Sequence, residues 1–145
     1  DKEQHLPLWE KQDISINQGF KLLSKSGSTL VLSSGVITFQ VKEAIGDLPI
    51  SHVDILRLKP LSVQGLLPLL SSCSRLIVVD EHVKTGSLFS VIAEVIAEYG
   101  LAIKLESVTL PDDRFLLGSA SRCWAHKEFG YTVESLKALF SKDLL

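Results

Sequence analysis

Methionine is missing from the 145-residue chain, which begins at Asp1. A stretch cut from a longer translation product is the expectation. Cysteine is almost missing too: Cys73 and Cys123 lie far apart, with no second cysteine or paired histidine nearby, which excludes the ligand spacing of a structural zinc site. Both are expected as buried thiols in a reducing, cytoplasmic setting. No apolar run reaches the ~18 residues needed to cross a bilayer, and no basic stretch followed by an apolar core opens the chain. Neither a membrane span nor an export signal is expected. Basic residues are scattered and the formal net charge is −2, so no electrostatic footprint for nucleic acid or an anionic membrane appears. Protein or small-molecule partners remain. Glycine-rich phosphate cradles are lacking as well, since Ser33-Ser34-Gly35-Val36-Ile37 offers too few glycines and donors for an independent flavodoxin-like binder.

What is present is apolar. Hydrophobic residues make up 46% of the chain, enough for one compact core in a single domain. Residues 1–27 are polar and weakly periodic, with Pro7, Trp9 and Gly19, and read as an N-terminal arm or interdomain linker. Residues 28–145 read as the folded domain. Thr29 to Ser33 is a short apolar run of the kind buried on both faces of a parallel sheet. Helical spacing follows over Val36–Ile45, then a strand over His52–Leu58, and a leucine-rich helix over Val63–Ser72. Ser62 is its expected N-cap, and Pro68 predicts a kink or a late start. Arg75–Val79 is the most apolar strand and is expected to be central. Leu88–Tyr99 is an amphipathic helix stopped by Gly100, and Leu101–Leu110 a fourth strand. Helices over Ser119–Lys127 and Tyr131–Phe140, the latter capped by Thr132, complete the pattern. Alternation of this kind predicts an α/β fold: three layers, a mostly parallel sheet of about five strands, and helices on both faces.

Ligands of open parallel sheets gather beyond the carboxyl ends of the strands. Asp80, Glu81, His82, Lys84 and Thr85 fall at such an end, before a helix N-terminus. Two acids and a histidine supply a conceivable general base, but no nucleophile and no metal set. The same residues also suit a solvated or interface turn. Thr85, Gly86 and Ser87 offer donors beside the helix start, which opens a second reading as a small-anion sensor. His52 and His126 are expected at the surface or core edge, and His5 lies in the arm. Trp124 and Phe129 read as core or interface aromatics. Asp112-Asp113-Arg114 reads as a loop turned by local Asp hydrogen bonds.

Four motifs, in order, carry a resemblance. They are Leu30-Val-Leu-Ser-Ser-Gly35, Val53-Asp-Ile-Leu-Arg-Leu-Lys-Pro-Leu61, Leu76-Ile-Val-Val-Asp-Glu-His82 followed by Gly86, and Leu110-Pro-Asp-Asp-Arg-Phe115 with a later Phe-Gly-Tyr-Thr132. Together they resemble the C-terminal domain of the transketolase family of thiamine-diphosphate enzymes, which includes 1-deoxy-D-xylulose-5-phosphate synthase and the β-subunits of 2-oxoacid dehydrogenases. The resemblance spans residues 14–145. Where relatives carry further glycines after the histidine, this chain has Gly86-Ser87-Leu88-Phe89. The resemblance implies a third domain that helps build a homodimer, with Glu81, His82 and Lys84 at an interface or substrate-channel mouth. It implies no catalytic residue and no metal ligand on this domain, which binds no cofactor itself. Thiamine diphosphate and Mg2+ belong to the full enzyme, held by cofactor-binding domains in the same chain or a separate subunit. The isolated domain is expected to be inactive. Among family members, the histidine leans toward transketolase.

Overall fold

The computed structural model describes residues 18–113 and 121–142. Its elements are β1 (Phe20–Ser24), β2 (Thr29–Ser33), α1 (Ile37–Ile45), β3 (Ile50–Ile55), α2 (Val63–Ser72), β4 (Arg75–Val83), α3 (Leu88–Glu98), β5 (Lys104–Leu110), α4 (Arg122–Phe129) and α5 (Val133–Phe140). The strands form one sheet in the order β1-β3-β2-β4-β5. β2 runs parallel to both β3 and β4, and β4 parallel to β5; β1 alone is antiparallel, on the outer edge of β3.

Side chains of a strand point alternately to the two faces, and both faces here are covered. On one face Leu30, Leu32, Leu76 and Val78 pack with Leu66 and Leu70 of α2 and Leu88, Ile92 and Val95 of α3. On the other, Val31, Ile77 and Val79 pack with Ile37 and Val41 of α1, Tyr131, and Leu136 and Phe140 of α5. Every residue of β2 and β3 is buried, which explains why β2 reads as a continuous apolar run rather than an alternating one. The result is the expected three-layer α/β architecture.

Several expectations change in detail. β1 lies inside the stretch read as an arm, so the boundary between 27 and 28 falls after the first strand. Phe20 fills the core (5% exposed) while Leu22 stays largely outside; one inward aromatic in five residues leaves no visible period. β2, not β4, is the central strand. α2 starts at Val63 and carries Pro68 as an interior residue. Ser62 stands at its N-cap without a side-chain cap hydrogen bond. Gly65 of α2 has a packing reason: a Cβ there would meet the Phe20 ring at 2.8 Å, so the weak helix former admits the edge strand. Thr132 caps α5 as expected, accepting from Ser135 N.

Arg75 anchors the amino end of β4. It is 4% exposed, donates from Nε to Glu106 Oε1 at 2.9 Å, and from its two Nη atoms to carbonyls of Leu139 and Lys142 at 3.0 and 2.5 Å. Those carbonyls lie at the carboxyl end of α5, where a cation also opposes the helix dipole.

Candidate functional site at the carboxyl end of β4

β4 extends four residues beyond the apolar segment, so Asp80-Glu81-His82 lies on a strand, not in a loop. The register with β5 shifts between Val79 and Val83, an irregularity that re-aims side chains near strand ends. Asp80 is the hub. Only 3% exposed, its carboxylate contacts His82 Nδ1 through Oδ1 at 2.7 Å and accepts from Leu88 N through Oδ2 at 3.3 Å. Its main-chain carbonyl accepts from the Tyr131 hydroxyl at 2.7 Å. Burial, with Asp80 and Glu81 nearby, pushes that hydroxyl above its ordinary pKa, so Tyr131 stays a donor. The His82 side chain is 79% exposed.

Glu81 turns to α4. Its carboxylate accepts from Arg122 Nε at 2.8 Å, from Arg122 Nη2, and from His126 Nε2 at 2.5 Å. A carboxylate only accepts, so His126 Nε2 carries the proton of that bond. The three side chains clasp the end of β4 to α4.

The β4–α3 loop is tied down from within. Lys84 lies over the Phe89 ring, 4.4 Å from its centroid, and its carbonyl accepts from Ser87 Oγ and Ser90 Oγ at 3.1 and 3.0 Å. Thr85 donates from N and Oγ1 to Asp112 at 3.1 and 2.8 Å. Those two bonds, the backbone one first, hold the Asp112 carboxyl below its usual range. Gly86, at φ 78, donates from N to Ser90 Oγ at 2.9 Å. The donors expected to greet an anion at Thr85, Gly86 and Ser87 therefore already serve the protein, beside two carboxylates. A cavity of about 210 Å³ opens here, lined by Leu58, Asp80, His82, Val83, Thr85, Gly86 and Ser87.

Sequence reasoning missed a buried polar chain. His52, expected at the surface or core edge, is 1% exposed. His52 Nε2 meets Ser33 Oγ at 2.8 Å, Ser33 Oγ meets Thr38 Oγ1 at 2.9 Å, and Thr38 donates to Asp54 Oδ1 at 2.9 Å. Burial and then Lys42 lower the His52 pKa to about 4. Burial raises Asp54 to about 6 despite the Thr38 bond. Asp54 between Val53 and Ile55 was the available signal: a lone acid in an apolar strand.

The remaining residues separate from the site. His126 joins Glu81 rather than the open surface. Cys73 and Cys123 are both free; Cys73 is half-buried, with its thiol pushed up to about 11 by burial, but Cys123 is exposed, against expectation, because α4 contributes no buried residue. Trp124 is 48% exposed and meets Phe129 edge-on at 6.2 Å. Asp112 bonds across to Thr85, not within its own loop. His5 and Arg114 lie outside the described residues. Among the described residues no helix is long and apolar enough to cross a membrane, and no three His, Cys, Asp or Glu side chains gather as a metal set.

Comparison with known proteins bears on the family and the fold. The model of the family described as transketolase, C-terminal domain, matches residues 20–136. One of the subunits of the apulose-4-phosphate transketolase of Actinobacillus succinogenes is 26% identical over 120 residues, covering 79% of this chain and 38% of that protein. The 1-deoxy-D-xylulose-5-phosphate synthase of Dictyoglomus thermophilum is 32% identical over 105 residues, covering 69% of this chain and 17% of that protein. The chain thus spans well under half the length of these curated relatives. A split-gene transketolase, solved as an inactive tetramer, superposes with a TM-score of 0.80 at 23% identity, over 96% of this chain and 46% of that one.

Proposed function

Since the chain belongs to the transketolase C-terminal domain family, we propose that it is the third domain of a transketolase-type thiamine-diphosphate enzyme. In this reading it packs on the cofactor-binding domains, helps build a homodimer, and frames the entrance to an active site whose reactive parts lie outside it. Glu81, His82 and Lys84 form the rim of that entrance, and the domain by itself turns over no substrate.

The observation that carries the reading is the pairing of buried Asp80 with exposed His82. Because the carboxylate accepts, Nδ1 is the donor, and the neutral ring keeps its lone pair on Nε2. Fixing an exposed ring costs conformational entropy. A group brought by another domain, or a substrate in the channel, gives that order a use. Leu56 and Val83, 39% and 47% exposed at the ends of β3 and β4, offer apolar contact beside it. Among the relatives, one is by name a single subunit of a transketolase, and the structural neighbour is a split-gene protein described as inactive; both accord with a division of labour between chains or domains.

Thiamine diphosphate and Mg2+ belong to the other domains in this account. At the β4–α3 loop, Thr85 N, Gly86 N and Leu88 N are bonded internally, and the carboxylates of Asp80 and Asp112 lie beside them, negative charge that disfavours a diphosphate there.

Isothermal titration of the chain alone with thiamine diphosphate and magnesium is expected to give no binding heat. Sedimentation of the chain with the cofactor-binding domains is expected to give a complex. Micromolar saturation of the lone chain, or failure to form the complex, contradicts the reading.

A further inference from the structure

The cavity of about 210 Å³ at the β4–α3 loop is smaller than the roughly 300–1,000 Å³ of sites that enclose a small molecule, and is on the scale of one long side chain. Resting on the third-domain reading above, we propose that it receives a basic side chain, an arginine or a lysine, from the cofactor-binding domain packed against it.

The direction of the hydrogen bonds defines that chemistry. On the cavity wall, His82 Nδ1, Thr85 N, Thr85 Oγ1, Gly86 N and Ser87 Oγ all donate to acceptors of the chain itself. What these groups leave open are acceptors: His82 Nε2, on a side chain 79% exposed, and the lone pairs of the Thr85 and Ser87 hydroxyls. An occupant that pairs with them brings donors.

Charge selects a cation among such occupants. The buried Asp80 carboxylate, 3% exposed, is bonded to the imidazole and to Leu88 N, and to no lysine or arginine among the described residues. Through Leu88 N it opposes the start of α3, but a full negative charge exceeds the roughly half charge of a helix N-terminus. Lys84, the cation of this loop, lies over the Phe89 ring and acts on Asp112. Leu58 and Val83 line the same cavity. Along that apolar surface the stem of a long basic side chain packs while its head donates to His82. The wall is also set before anything docks, since Asp80 holds the His82 ring and Asp112 holds Thr85; a preformed site loses less conformational freedom on binding.

The chain, isotope-labelled at nitrogen, is titrated by NMR with ethylguanidinium chloride at millimolar concentration and fixed ionic strength. Saturable shifts of His82 Nε2 and of the Thr85 amide are expected. Tetramethylammonium, which carries the charge without an N–H, and glycerol, which carries donors without the charge, are each expected to bind at least roughly tenfold more weakly. His82→Ala, a change at an exposed position, removes the acceptor and is expected to weaken binding by roughly tenfold, read at the Thr85 amide. Asp80→Asn keeps an acceptor for Nδ1 but removes the charge, and is expected to weaken it by roughly three- to tenfold; His82→Ala covers the case in which this variant fails to fold. No saturable shift with ethylguanidinium, equal binding by wild type and His82→Ala, or either control matching ethylguanidinium overturns the proposal; a match by glycerol assigns the cavity to a substrate hydroxyl instead. A complex with the cofactor-binding domains that forms while ethylguanidinium fails to bind overturns the basic side chain and leaves the third-domain reading standing. Probe binding without any complex does the reverse.

Discussion

The buried chain from His52 to Asp54 makes a quantitative prediction about pH. Asp54 moves from an ordinary 3.8 to about 6, so between those values the folded state holds a proton that the unfolded state has released. Its contribution is intact below the unfolded value and is lost as pH rises through about 6. His52 moves the other way, from 6.5 to about 4; there the unfolded state holds the extra proton, and stability is lost as pH falls toward 4. At ~1.4 kcal/mol for each pH unit, each effect alone is worth about 3 kcal/mol. In the same window the two nearly cancel, because folding moves one proton from a histidine to a carboxyl group linked to it through Ser33 and Thr38. The perturbation is to remove one partner at a time. His52→Asn leaves the Asp54 effect, so its stability relative to wild type is expected to fall by about 2–3 kcal/mol between roughly pH 4 and pH 6. Asp54→Asn leaves the His52 effect, and its relative stability is expected to rise by a similar amount between roughly pH 4 and pH 6.5. Urea unfolding across this range measures both slopes. Comparison with wild type cancels the acid-side losses expected from Glu106 and Asp112, whose carboxyls sit below their ordinary values. Parallel pH profiles for the two variants refute the reasoning.

Three further outcomes follow from single contacts. Gly27→Ala adds a Cβ 2.1 Å from Pro49 O at a position with φ 61, and is expected to cost roughly 2–3 kcal/mol in thermal unfolding; an unchanged melting temperature contradicts the packing. Arg75→Met leaves the carbonyls of Leu139 and Lys142 without this donor, and leaves Glu106 to its pairing with Lys104 at 3.2 Å. A loss of roughly 3 kcal/mol is expected in denaturant unfolding, and a loss of only a few tenths contradicts the anchor. Asp80→Ala removes the acceptor at Leu88 N, so this amide is expected to exchange hydrogen faster, with a stability loss of about 1–2 kcal/mol; unchanged exchange at Leu88 sinks that role.

Much of this fold is legible in the residues because burial leaves a pattern. β2 reads as a two-faced buried strand, the helical spacing around Val91, Ile92 and Val95 marks α3, and Thr132 announces α5. β1 is hidden because Phe20 is its one strongly buried side chain. The ordered motifs around Gly35, Pro60, His82 and Phe115 are what lead to the family. The site is harder to see, since its geometry depends on partners distant in sequence. Glu81 meets Arg122 and His126 across 41 and 45 positions, and no local spacing encodes such a pairing. Asp80 reads as the polar rim of a strand; only the fold turns it into the shared acceptor for His82 and Leu88. Ser33 and Thr38 are ordinary in composition and gain meaning when His52 and Asp54 arrive beside them on the neighbouring strand.

The most direct test is ketol transfer from a ketose phosphate, assayed with thiamine diphosphate and magnesium, by the chain alone and after assembly with its cofactor-binding domains. The account predicts no turnover by the chain alone and turnover by the assembly. Turnover by the purified chain alone contradicts it.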